Sequence, residues 1–192
     1  MFSPPPLSAE HLQQLAAART AASKIRRAAV IANVDGVSIA VFAALTCVCN
    51  VGSVPGMLLG GGMGLVAAVE LRNAGRLRRL EPQAARTLGF NQLALAAMLI
   101  LYASWCIYAE LTGPGAYASI KAADAQLATM LGPIEELTRM VVLAVYAGVI
   151  AVALLAQGGL ALFYFSRVKH VQAYLTQTPE WILQMQRAGV SL

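Results

Sequence analysis

Histidine and cysteine are nearly missing from this chain, with two histidines and three cysteines in 192 residues. His11 and His170 are far apart and lack metal-ligand spacing, which removes the common zinc and haem schemes. Cys47 and Cys49 are two positions apart and point to different sides of a helix, so they do not make a metal pair; Cys106 lies at a similar depth in a later segment. Free thiols are the expectation, and no metal or cofactor is implied. Charge is scarce as well: 12% of the residues are charged, about half the usual share. No Ser/His/Asp set, glycine-rich phosphate loop or other catalytic constellation is present. The arginines come without an aromatic-rich or folded reader, which excludes nucleic acid as an expected partner. No internal repeat is visible, which weighs against transporters built from inverted repeats.

What the chain does have is apolar length. Apolar residues make up 58% of it and the mean hydropathy is +0.65, more than a soluble fold of this size can hide. Apolar runs at about 28–49, 54–71, 93–111 and 140–166 meet or approach the roughly 20 residues needed to cross a hydrocarbon core. The expected fold class is an all-α integral membrane protein with four transmembrane helices in an antiparallel bundle. Amphipathic interfacial helices are expected at 1–27 and 167–192. The first run is too long for a signal-peptide core and no small-residue cleavage pattern follows it, so it is read as a retained helix.

Twelve of the fourteen basic residues lie on one side of these runs, and only Lys121 and Arg139 lie on the other. The positive-inside bias places both termini and the 72–92 connection in the cytoplasm, and the loops at 50–53 and 112–139 outside. A compact basic protein without organelle signals points to a bacterial inner membrane.

Local signals fill in the connections. Prolines at 4–6 hold the start extended, and Ser8 caps a helix with Leu12, Leu15, Ala18, Ala22 and Ile25 on one face. That helix is expected to run along the cytoplasmic membrane face before turning into the first span. Asn50 to Gly56 reads as a tight turn. Glu81-Pro82 reads as an N-cap with a first-turn proline, making an Arg-rich hairpin of 72–92. Residues Ala118 to Leu131 suit a helix that stops before Gly132-Pro133. Thr178-Pro179-Glu180 starts a short helix with Trp181, Ile182, Met185 and Ala188 on one side, expected at headgroup depth.

The polar groups inside the apolar runs carry what functional signal there is. Asp35 lies eight positions past Arg27, about 12 Å along an ideal helix, so it sits inside the hydrocarbon region. A bare carboxylate there costs several kcal/mol; it must be protonated, paired or in a wet cavity. Glu70, Asn91 and Gln92 reach the same depth from the same side, with Arg72 and Arg76 just beyond. These six form a candidate intramembrane cluster. Its bland reading is a structural lock in which Arg72 or Arg76 neutralises Asp35; its sharper readings are a proton or cation site, or a headgroup or small-ligand site. Gln157 is a midplane amide on a face with Ala153, Ala161 and Tyr164, and is expected to hydrogen-bond between helices. Gly56, Gly60 and Gly64 make overlapping small-xxx-small steps suited to helix packing, within the molecule or against another. Arg72, Arg76, Arg78, Arg79 and Arg86 suit anionic lipid or an acidic partner.

The Asp35-Gly36 pair resembles the start of the aspartate-glycine motif of membrane phosphatidyl-alcohol transferases. The further aspartates that chemistry requires are absent, so an enzyme of that kind is not expected. The leading expectation is a non-enzymatic scaffold, assembly factor or accessory subunit in contact with anionic lipids and with a membrane-protein partner or a second copy. A small transporter or channel subunit using Asp35 in a proton, ion or solute path is the alternative. A lipid-binding or lipid-modifying protein at the cytoplasmic face comes third.

Overall fold

The computed structural model describes residues 8–114, 118–123 and 125–188. The proline-rich start at 3–6 and part of the bend after Thr112 lie outside these. Among the described residues every regular element is helical: α1 (Ala9–Cys49), α2 (Val54–Arg78), α3 (Pro82–Thr112), α4 (Ala118–Ala123), α5 (Ala125–Val152), α6 (Gly158–Gln177) and α7 (Glu180–Arg187). A single π-helical segment, Ala153–Gln157, joins α5 to α6 without a break. Among the described residues four helices are long and apolar enough to cross a membrane: α1, α2, α3 and the continuous Thr129–Gln177.

α1 departs from the expected bend. Ser8 accepts a bond from the His11 amide at 3.3 Å and starts a helix of 41 residues, about 60 Å long, that continues into the apolar run. No proline interrupts it, and its buried face runs on through the junction: Ala18, Ala22, Ile25, Ala29, Ala32, Gly36, Ile39 and Ala43, at alternating steps of four and three. α2 answers with Gly56, Gly60, Met63, Ala67, Glu70, Ala74 and Leu77 at the same alternation. A 3.5-residue repeat keeps a seam facing its partner over many turns, as in a coiled coil, and small side chains let the two backbones approach. A β-carbon built on Gly56 would meet Asn50 at 2.5 Å, one on Gly60 would strike Cys47, and one on Gly36 would meet Leu71 at 3.0 Å. These pairings descend one helix as they climb the other, so α1 and α2 are antiparallel. Gly64 meets nothing within 4 Å, because strict steps of four drift around the helix while the seam follows the four-three alternation.

The α2–α3 connection is a Schellman turn. The Glu81 amide bonds the Arg76 carbonyl and the Leu80 amide bonds the Leu77 carbonyl, with Leu80 at φ 62 in the place usually given to glycine. Glu81 does precede a first-turn Pro82, but its side chain makes no cap. It is held instead by Arg76, whose Nε donates to Glu81 Oε2 at 2.7 Å.

α3 packs on α2 and then on α6. The ring of Phe165 lies 2.6 Å from where a β-carbon of Gly89 would sit and stacks edge-on against Phe90, with centroids 5.3 Å apart. α7 folds back on the start of α1: Trp181 Nε1 donates to Gln14, the His11 and Trp181 rings meet edge to face, and Ile182 is fully buried. The apolar side expected to face headgroups is thus used in part for contact within the chain. Within 112–139, α4 is followed by α5, which passes through Gly132-Pro133 instead of ending there. Proline costs one helical hydrogen bond, a loss tolerated in long apolar helices where neighbouring turns hold the geometry. Cys47, Cys49 and Cys106 are free thiols.

Candidate functional site

Consecutive residues of α3 reach two different helices, because positions one apart diverge by about 100° around the axis. Gln92 turns toward α1, where its Nε2 donates to Asp35 Oδ2. Asn91 turns toward α2, donating to Glu70 Oε2 at 2.7 Å and to the Val66 carbonyl at 3.0 Å. From α6 the hydroxyl of Tyr164 lies beside the Glu70 carboxylate as a buried, unpaired donor. Glu70, Gln92 and Tyr164 are each 0% exposed, and Asp35 is half-buried. Gly36 makes room for this arrangement, since a β-carbon there would come within 3.2 Å of the Glu70 side chain.

The structure therefore brings Asp35, Glu70, Asn91 and Gln92 to one level and adds Tyr164. It does not bring Arg72 or Arg76. Arg72 is exposed and Arg76 is occupied by Glu81. Neither carboxylate is in an ion pair with any described basic residue, which corrects the lock in which an arginine neutralises Asp35. The reason is rotational: Glu70 points into the seam, and Arg72, two residues on, points away from it. Arg78, Arg79 and Arg86 are also exposed, Arg86 lying over the Phe90 ring at 5.8 Å. Gln157 ends the π segment seven residues before Tyr164, about 10 Å away along the axis, and takes no part in the cluster. Its Oε1 is buried without a partner.

The electrostatic character of the cluster follows from a donor count. Glu70 Oε1, Gln92 Oε1 and the nearby Asn73 Oδ1 are all buried oxygens with no hydrogen-bond partner. Asn73 spends its donor group on the Val69 carbonyl of its own helix. A buried acceptor without a donor costs about 1–3 kcal/mol, and two carboxylates without a cation cost more. What the site lacks among the described residues is positive charge; the Tyr164 hydroxyl is an uncommitted donor beside Glu70. Among the described residues, no group of three or more His, Cys, Asp or Glu side chains could hold a metal ion. Tyr164 carries a sequence signal, its place on one face with Ala153, Gln157 and Ala161, but that spacing points only to helix packing.

Compared with known proteins, the chain matches no family model, no curated sequence and no solved structure.

Proposed function

We propose that this protein is a small transporter or channel subunit in which Asp35 and Glu70 form an intramembrane proton-binding station. The observation that carries the reading is the pair of carboxylates held by amides at one level of three helices, with no described basic partner. An added proton turns a carboxylate oxygen from acceptor to donor and so satisfies an orphaned neighbour while removing one buried charge. The amides of Asn91 and Gln92 fix both side chains and accept either charge state. In this reading the four apolar helices form an antiparallel bundle in a bacterial inner membrane. Both termini and the α2–α3 turn face the cytoplasm, supported by the twelve basic residues gathered at that end. α7 then lies at headgroup depth, docked on α1.

The test is proton flux in liposomes containing a trapped pH dye, driven by an imposed potassium diffusion potential. Wild type should acidify the lumen above protein-free liposomes, and Asp35→Asn and Glu70→Gln should abolish the difference. Background flux by the wild type rejects the reading.

A second reading, an accessory or scaffold subunit, is favoured by α5. None of its described side chains is buried, and Gly148 has nothing within 4 Å. Such a helix suits packing against a partner or a second copy. Native mass spectrometry from mild detergent, showing a clean monomer with no co-purifying protein, counts against it.

A further inference from the structure

A cavity of about 960 Å³ opens between α1, the α2–α3 turn and the α6–α7 end of the chain, away from the carboxylate pair. Its composition is divided. Ile25, Val30, Leu77 and Leu175 supply an apolar wall, and Arg26, Arg78 and Arg79 line it with positive charge. These three arginines are exposed, and no described acid pairs with them. Glu81, the carboxylate also lining the cavity, is already engaged by Arg76. The Schellman turn at Leu80 closes one wall of the cavity and carries Arg78 and Arg79. Arg26 and Arg27 stand where the basic stretch of α1 gives way to its apolar run, so in the topology proposed above the cavity falls at the boundary between headgroups and hydrocarbon.

We infer that this cavity is a binding site for one anionic phospholipid. The phosphate and its headgroup take the place of the missing acid among Arg26, Arg78 and Arg79. One acyl chain lies along Val30, Leu77 and Leu175. Guanidinium groups suit phosphate oxygens because their paired N–H donors match them. The apolar wall separates this ligand from a free phosphate, which has nothing to place there. The volume falls in the range of sites that enclose most of a small ligand. The inference is independent of proton binding at Asp35 and Glu70.

The experiment is native mass spectrometry of protein released from nanodiscs holding equal amounts of dioleoylphosphatidylglycerol and dioleoylphosphatidylcholine. Wild type should retain one lipid with about tenfold or greater preference for the anionic species. The triple variant Arg26→Gln, Arg78→Gln, Arg79→Gln should fall to within about twofold of no preference. A control with the same loss of charge outside the cavity, Arg19→Gln, Lys24→Gln, Arg86→Gln, should keep it. Val30→Phe fills the groove without touching charge and should lower retention several-fold. Equal loss in the control, retention unchanged by Val30→Phe, displacement of the lipid by millimolar inorganic phosphate, or no lipid on the wild type each overturns the inference.

Discussion

The two halves of the fourth long helix could hardly be packed more differently. α6 packs on α3 and α1 and buries Ala161, Tyr164, Val171 and Tyr174, whereas α5 buries none of its described side chains. Over the most apolar stretch of Thr129–Gln177 only 6% is buried, against 33% for α1. The change falls at the π segment, where one extra residue per turn alters the phase and direction of the helix. Apolar residues are no guide to this difference, because a helix facing lipid and one facing protein are equally greasy. What separates the two is small and polar residues at seam spacing: Ala161 and Tyr164 meet a polar level built by three other helices, and α5 offers no such level. α5 does reach α3 through Tyr102 and Tyr146, whose ring centroids are 6.3 Å apart, but that is an edge contact rather than an interior.

The largest effect should come from cutting α6 loose. Tyr164→Ala removes a fully buried aromatic and should cost about 3–5 kcal/mol in detergent unfolding, while Val145→Ala on α5 should stay within about 0.5 kcal/mol. Equal losses would erase the distinction between the two halves. Overpacking comes next: Gly89→Ala drives a methyl into the Phe165 ring and should cost about 1–3 kcal/mol, against no loss for Gly148→Ala, which meets open space. Within the polar level, Gln92→Leu withdraws the donor from Asp35 and should destabilise by about 1–3 kcal/mol. Glu70→Gln keeps an acceptor for Asn91, adds donors, and should change stability by no more than about 1 kcal/mol. The smallest effect belongs to the Arg76–Glu81 pair, whose side chains are 40% and 39% exposed; Glu81→Gln should cost under about 1 kcal/mol and less in high salt.

Four long apolar helices were legible in the sequence because each run announces itself by length. The shared depth of Asp35, Glu70, Asn91 and Gln92 was legible too, by counting residues from the flanking arginines. Depth along a helix says nothing of rotation, however. The rotational phase is set by a 3.5-residue seam that two helices write together, and the glycine steps of four on α2 matched that seam only at Gly56 and Gly60. Pairing Asp35 with Arg72 or Arg76 required a phase that the seam does not have. Tyr164 was hidden for a related reason: a tyrosine on a small-residue face reads as filler until a carboxylate from another helix arrives beside it. The continuity of α1 and the passage of α5 through Pro133 depend on neighbouring packing and on the medium, neither of which a local breaker signal contains.

Amides, not arginines, hold the half-buried Asp35 and the buried Glu70. A pair of double-mutant cycles on unfolding in detergent tests this directly, one combining Asp35→Asn with Gln92→Leu and the other combining Asp35→Asn with Arg76→Gln. A coupling of about 1–3 kcal/mol in the first and within about 0.5 kcal/mol of zero in the second is the predicted result. Strong coupling to Arg76 with none to Gln92 would contradict it.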